Sequence, residues 1–252
     1  HASPHSNTDK GTRMENSIYL GLSRQMALRT NMDIIANNIA NVNTPGYRGQ
    51  NMLFQEFIDK PRGTLDPLSF VNDYGEYQIT SPGSVSYTGN PLDIAVTGPG
   101  FIGVQGPDGV AYTRAGNFQM RADGTLITSA GFPVASAGGG NLTIPAGSTE
   151  VNIDDHGNIS NQDGQLGQIM VHEFQNLRQL KPLGNNLYKA DTPGTAATQS
   201  TVKQGQLEGS NVQPVIEMTR MIDTLRSFQS VQQVLQSEND RLRTAIQRLT
   251  RS

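Results

Sequence analysis

The feature that most restricts the fold of this chain is a heptad seam at its C-terminal end. Met218, Met221, Leu225, Phe228, Gln232, Leu235, Asn239, Leu242, Ile246 and Leu249 succeed one another at alternating steps of three and four. That spacing keeps one stripe of an α-helix turned toward a partner for more than four heptads, which no strand can do. Val215–Ser252 contains neither Gly nor Pro, so nothing interrupts a helix there. Just upstream, Ser210 with Gln213 three residues on fits a capping box. Pro214 suits a first helical turn, where a missing N–H is harmless. Ile222, Val231 and Val234 widen the apolar face beyond a two-position seam, which predicts more than one partner surface.

The other end of the chain repeats the pattern. Ile18, Gly21, Gln25, Leu28, Met32, Ile35, Ile39 and Val42 also step by three and four, with Asn16 or Ser17 available as a cap. Thr44-Pro45-Gly46 stops this helix, because Pro disfavours helix for the residue before it and Gly supplies a turn. The two ends are therefore expected to pair with each other as a coiled coil. Gln232 and Asn239 fall on core positions of that seam. They read either as an irregularity in a wide face or as polar core residues that fix register at a cost in stability.

Between the two seams the texture changes to short apolar runs separated by turn residues. Ser84–Tyr87, Asp93–Val96, Phe101–Gln105, Val110–Arg114, Phe118–Arg121, Thr125–Thr128, Glu150–Ile153 and Gly167–Glu173 read as strands. Gly106-Pro107-Asp108-Gly109, Ala122-Asp123-Gly124 and His156-Gly157-Asn158 are among the turns between them. The 27 glycines and 13 prolines of the 252 residues are above the ordinary share but below that of low-complexity disorder. The fold class expected is α+β, with terminal helices around a central antiparallel all-β domain. Residues 1–13 read as a tag or upstream extension before Met14, 14–48 as the N-terminal helix and 49–81 as a connector with room for a hairpin. Residues 82–206 read as the β-domain, whose stretch Thr192–Gln204 is a polar return, and 207–252 as the C-terminal helix.

Several functions are excluded by what the chain lacks. Without cysteine there is no disulfide framework, thiolate metal site or cysteine nucleophile. A net charge of −3 leaves no electrostatic footprint for nucleic acid. No run approaches the ~20 apolar residues of a membrane span, and no cleavable export signal is evident, so stable membrane insertion is not expected. Gly98-Pro99-Gly100-Phe101-Ile102-Gly103 matches a dinucleotide fingerprint. That fingerprint must open a helix, whereas here it runs into a hairpin. Asp154, Asp155 and His156, with His172 and Glu173, fit no metal-site spacing and read as turn residues. No catalytic, cofactor or metal residue is assigned.

Ala36-Asn37-Asn38-Ile39-Ala40-Asn41-Val42-Asn43-Thr44-Pro45-Gly46-Tyr47-Arg48 resembles the N-terminal motif of the bacterial flagellar rod and hook proteins. Leu207-Glu208-Gly209-Ser210-Asn211-Val212 is similar to that family's C-terminal motif. Gly100-Phe101, Tyr112-Thr113-Arg114-Ala115-Gly116-Asn117-Phe118 and Asp123-Gly124-Thr125-Leu126 look like its β-domain. Within the family, Glu15–Tyr19 and the short connector around Phe70–Asp73 look most like the proximal rod branch, with the distal rod branch a near relative. The resemblance implies a structural subunit exported through the flagellar type III apparatus. It would assemble in the periplasm with proximal and distal rod subunits into a torque-transmitting shaft. The assembly residues it implies are Asn37, Asn38, Ile39, Ala40, Asn41, Thr44, Gly46 and Tyr47, with Leu207, Glu208, Ser210, Asn211 and Val212. From the heptads, Met221, Leu225, Phe228, Leu235 and Leu242 join them.

The competing reading is a β-rich module that binds glycan or cell wall from a coiled-coil stalk. It would need a surface of clustered aromatics, and the β-region has few, among them Tyr87, Phe101, Tyr112, Phe118 and Phe132.

Overall fold

A computed structural model describes the backbone of residues 8–59 and 68–249, with side chains for 18–53 and 77–248. Residues 1–7 of the N-terminal segment and the side chains of Phe54, Phe57, Phe70, Tyr74 and Leu249 lie outside the described residues. The chain forms two compact units. One takes the residues up to Ala40, Gln50–Tyr77 and everything from Gln213 on; the other takes Asn41–Gly49 and Gln78–Val212.

The first unit holds both long helices, α1 (Thr8–Ala40) and α2 (Pro214–Leu249), and two paired strands, β1 (Gln50–Asp59) and β2 (Leu68–Gln78). As α1 advances from Gly21 through Asn31 to Asn38, its neighbour on α2 recedes from Leu235 through Thr224 to Glu217. The helices are therefore antiparallel. A Cβ on Gly21 would lie 2.6 Å from Leu235 Cδ2, so the glycine lets Leu235 seat against the α1 backbone. On the side of β1, Ala27, Ile34 and Met52 close a small buried cluster.

Three details of these helices differ from the expectation. First, α1 runs from Thr8 through Asn16 and Ser17. A helix seeded in the seam gains one hydrogen bond for each residue added, and Thr8–Arg13 holds no Pro to stop it. Second, Ser210 does not cap α2. Its Oγ accepts the Val212 N–H at 3.2 Å, and the first helical bond runs from the Glu217 N–H to the Gln213 carbonyl at 3.0 Å. Pro214 takes the first helical position, as expected.

Third, the least exposed residues of α2 are Glu217, Met221, Thr224, Phe228, Val231, Leu235, Glu238 and Leu242. Half of the expected seam is thus displaced by one residue. Gln232 and Asn239 are exposed, which removes them as buried register-setting groups, and Met218, Leu225 and Ile246 are exposed with them. The physical reason is that Glu217 and Thr224 hydrogen-bond across to α1 and so turn the helix toward their own row.

The second unit is built of short strands. They are β3 (Val85–Tyr87), β4 (Ile94–Thr97), β5 (Gly100–Gly106), β6 (Gly109–Thr113), β7 (Gln119–Met120), β8 (Leu126–Ile127), β9 (Asn152–Ile153) and β10 (Asn158–Asn161). Then come β11 (Gly164–Gln168), β12 (Val171–Glu173), β13 (Leu180–Gly184), β14 (Leu187–Ala190), β15 (Thr195–Ala196), β16 (Thr201–Gln204) and β17 (Gln206–Glu208). Six form an antiparallel sheet in the order β13-β14-β6-β5-β12-β15, and β9, β10 and β11 form a second. The late strands return to the first ones, β16 onto β4 and β17 onto β3. Ile94, Val96, Ile102, Leu126, Val134, Ile144, Ile159, Ile169 and Val202 fill the core. Phe101, Tyr112, Phe174 and Tyr188 form a second cluster of edge-to-face aromatic rings 4.8–6.0 Å apart.

The expected polar return thus contains β15 and β16. In Thr201-Val202-Lys203-Gln204 only Val202 turns fully inward, too little apolar content to announce a strand. The expected strand Gly167–Glu173 is divided between β11, which pairs with β10, and β12, which pairs with β5: the Ile169 N–H still bonds to Gly157 beside β10, whereas Met170 bonds to Ala135 and Gly103. Gly100–Gly106 is strand and turns directly into β6, as the hairpin reading of the glycine-rich segment required.

Candidate assembly site

The N-terminal motif divides between the two units, and each half has a structural task. In the helix unit Asn38 is fully buried. Its amide accepts the Gln50 N–H at 2.9 Å and donates to the Gln50 carbonyl at 2.8 Å, so one side chain completes the hydrogen bonding of a strand end. The same amide donates to Glu217 at 3.0 Å, and Arg220 joins Glu217 to Asn51 through two bonds of 2.7 Å. One heptad away, Asn31 donates to Thr224 at 3.2 Å. Glu217, Arg220 and Thr224 escaped the sequence reading because Glu-x-x-Arg on a helix usually marks a solvated face. Asn37 and Ala40 are exposed, and Ile39 is half-buried.

In the strand unit the turn after α1 meets the C-terminal motif. Thr44 closes the turn onto Asn41 through its N–H and its hydroxyl, both at 3.1 Å. Gly46 lies beyond it at φ +65°, and its N–H donates to the Glu208 carbonyl at 2.7 Å. A Cβ there would lie 2.3 Å from the Arg114 backbone, so both conformation and space demand glycine. The carbonyl of the half-buried Tyr47 accepts the Asn211 N–H at 3.2 Å, and the Gly49 N–H donates to Asn211 Oδ1 at 2.7 Å. Asn211 also donates to the Ile79 and Ser81 carbonyls, Val212 is buried against Gly49, and Leu207 and Ser210 are half-buried.

At the centre Glu208, 2% exposed, lies between two arginines. Arg114 meets one carboxylate oxygen through Nε at 2.8 Å and Nη2 at 2.7 Å; Arg48 meets the other at 3.3 Å, beside the Gly83 N–H at 3.1 Å. Two positive charges against one negative are tolerable in a dry site only with further acceptors. They are present: the Thr80 and Ser81 carbonyls for Arg48, the Gly98 and Gly100 carbonyls for Arg114, and the Phe101 ring within 6.0 Å of both guanidinium carbons. Burial first, and for Arg48 also the charge of Arg114, holds both guanidinium groups below their usual range, while Glu208 draws them back up. Burial pushes the adjacent Tyr188 phenol up to about 12.

Three family models match the chain. Flagella basal body rod protein covers residues 18–48, the D1 domain of flagellar hook protein FlgE/F/G covers 95–161, and the C-terminal region of flagellar basal body rod FlgEFG protein covers 203–248. The flagellar basal-body rod protein FlgF of Caulobacter vibrioides is 39% identical over 242 residues, covering 94% of this chain and 98% of that protein. FlgF of Mesorhizobium japonicum is 34% identical, with 92% and 98% covered, and FlgG of Bacillus subtilis is 33% identical with the same coverage. This chain belongs to the flagellar basal-body rod protein family. It is a structural component of the flagellar basal body and not an enzyme, in keeping with relatives named as rod proteins. The family resemblance read from the terminal motifs therefore stands, with FlgF-named proteins the first relatives and FlgG-named ones near them.

For a rod-family subunit the surface of interest is the helix pair. Met221, Phe228, Leu235 and Leu242 are half-buried along it, whereas Val215, Met218, Ile222 and Leu225 form an exposed apolar row on the first three turns of α2. Tyr19, Leu22 and Met26 form a second exposed row on α1. Because the helices are antiparallel, the α2 row lies at the end of the pair where α1 finishes, and the α1 row lies near the middle of the pair, level with Leu235.

Asp154 and Glu173 serve loops. Asp154 accepts the His156 and Asn158 N–H groups at 2.9 and 2.8 Å, and Glu173 accepts those of Thr198, Gln199 and Ser200 at 2.7–3.1 Å. Phe101, Tyr112, Phe118, Phe174 and Tyr188 are core residues, Phe132 is half-buried and Tyr87 alone of these β-region aromatics is exposed, so they form no stacking platform. Among the described residues no helix is long and apolar enough to cross a membrane.

Proposed function

We propose that this chain is a subunit of the proximal rod, assembling with its own copies and with other rod proteins through its terminal helices into the shaft that transmits torque. The observation that carries the reading is the pair of exposed apolar rows at different levels along the antiparallel helices, in a chain of the rod family. That stagger lets the α2 row of one subunit cover the α1 row of the next. Such a head-to-tail contact does not close on itself and grows an open helical filament. The displaced heptad on α2 keeps steps of three and four, which supports a supercoiled pair. Packed helices are stiff along their axis, which suits a shaft.

In this reading Met221, Phe228, Leu235 and Leu242 hold the pair together, and Leu225 belongs to the row that meets a neighbour. The motif residues Asn37–Thr44, Gly46, Tyr47 and Leu207–Val212 shape the helix roots that present those rows. Export through the flagellar type III apparatus into the periplasm fits a chain without cysteine, since a subunit that crosses an oxidising compartment then forms no stray disulfide.

Locating an epitope-tagged copy along purified basal bodies tests the assignment. Label confined to the proximal segment of the rod supports it; label at the distal segment moves the chain to the other branch. A tagged, expressed chain absent from basal bodies overturns it.

A further inference from the structure

The turn that carries the N-terminal motif is held mainly from a distance. Within Asn41–Gly49 the described short-range bonds are the two Thr44–Asn41 contacts and the Tyr47 N–H to the Thr44 carbonyl at 3.2 Å. Further bonds come from thirty or more residues away. Asn186 donates to the Pro45 carbonyl at 2.7 Å, the Ile79 N–H donates to the Gly49 carbonyl at 2.8 Å, and Arg48 reaches the Thr80 and Ser81 carbonyls. The largest share comes from the C-terminal motif: the Glu208 carbonyl to Gly46, the Glu208 carboxylate to Arg48, and Asn211 to both Tyr47 and Gly49. The Glu208 carboxylate also accepts the Gly83 N–H and both Arg114 contacts, so one side chain gathers three separate stretches of chain.

We infer that Glu208 and Asn211 form a latch that makes the N-terminal motif turn conditional on the C-terminal motif, some 160 residues away, so that the turn is not set until the C-terminal motif is in place. The physical basis is the balance of local and distant bonds. A short turn with two flexible points, Gly46 and Gly49, loses more backbone entropy on ordering than a few short-range bonds offset. The partners that do offset it sit on β17 and on the segment leading into α2. Loop closure over that separation precedes the gain, which puts this step late in folding. The strand core needs no part of the latch, because Ile102, Leu126, Val134 and Ile169 are covered by one another and by neighbouring strands. The latch is a property of the single chain, and its fate is independent of where in the flagellum the subunit sits.

Hydrogen exchange on the full chain tests this, comparing wild type with Glu208→Gln and Asn211→Ala. The first variant keeps the size and removes the charge; the second removes the Gly49 acceptor and leaves the charges alone. In Glu208→Gln the amides of Gly46, Gly49 and Gly83 are expected to exchange at least about tenfold faster, while those of Gly103 and Leu126 keep wild-type protection. In Asn211→Ala the acceleration is expected at Gly49 with the same core unchanged. In pulse-labelled refolding of wild type, Gly46 and Gly49 are expected to gain protection after Gly103 and Leu126. Unchanged exchange at Gly46 and Gly49 in both folded variants overturns the inference. So does early protection of the turn, or loss of core protection together with the turn in both variants, because the segment would then belong to one cooperative unit.

Discussion

The two units of this molecule dispose of their apolar side chains in opposite ways. In the strand unit Ile94, Ile102, Leu126, Ile144, Ile159 and Ile169 are at most 3% exposed, each shut in by several short strands. Among the described residues of the helix unit the buried apolar ones are Ala27, Ile34, Ile35 and Met52, while Val215 is 75% and Tyr19 63% exposed. Two helices can cover only one stripe each, so the remaining apolar rows stay uncovered unless other chains reach them. The strand unit is thus completed by its own sequence, whereas the helix unit carries surface that a single copy does not use.

Five variants and one titration probe that contrast. Glu208→Ala leaves two buried guanidinium groups without their acid and is expected to cost about 3–5 kcal/mol locally, read as faster exchange of the Gly46 and Gly83 amides with the core amides of Gly103 and Leu126 unchanged. Leu126→Ala opens a cavity in the closed core and is expected to cost about 3 kcal/mol, read as a drop in the denaturant midpoint; a loss below about 1 kcal/mol would show that the strand core is loosely packed. Asn38→Ala strips the Gln50 backbone and Glu217 of a buried partner. A loss of about 1–3 kcal/mol is expected, with faster exchange at the Gln50 amide.

The pH dependence comes next. Burial holds His172 below its usual value near 6.5, so the unfolded chain takes up its proton first. Stability is therefore complete above about pH 6.5 and declines as pH falls through the folded value. His172→Gln is expected to remove that step. Below it lies a second decline, since Glu173, Asp154 and Asp123 are held under their usual range. For Glu173 burial works the other way and is outweighed by hydrogen bonds from Ser200, Gln199 and Thr198; Asp154 is held down first by Asn158, and Asp123 by Thr125. These carboxylates lose their share as pH drops below about 4.

The smallest expected change in monomer stability, within about 0.5 kcal/mol, belongs to Ile222→Ser with Leu225→Ser, because both side chains already face water. The same pair is expected to abolish incorporation into basal bodies, scored by immunoblot of the purified structure. Normal incorporation would remove the exposed row from the assembly surface.

Much of this was legible in the sequence, for identifiable reasons. Steps of three and four over Ile18–Ile39 and Met218–Ile246 mark helices, although Val42, the last step read at the N-terminal end, falls in the turn after Ala40; Pro-Asp-Gly and Asp-Gly turns punctuate strands. The motifs around Asn38 and Glu208 pointed to the family without any geometry. What they do inside the chain was not legible. Nothing in Glu208 or Arg114 taken singly distinguishes a buried ion pair from a solvated one, and β16 hides because one inward Val among polar neighbours carries no pattern.

Local periodicity and turn chemistry act over a few residues, so the helices, the strand-rich middle and the family were already determined by the order of the amino acids. Which row of α2 faces α1 was decided only in three dimensions, since that choice rests on Asn31–Thr224 and Asn38–Glu217 bonds between residues nearly two hundred positions apart. The same holds for the place of Glu208 between Arg48 and Arg114. Removing three charges from water is tolerable only where distant carbonyls, an aromatic ring and an opposite charge converge, and no local pattern records that convergence.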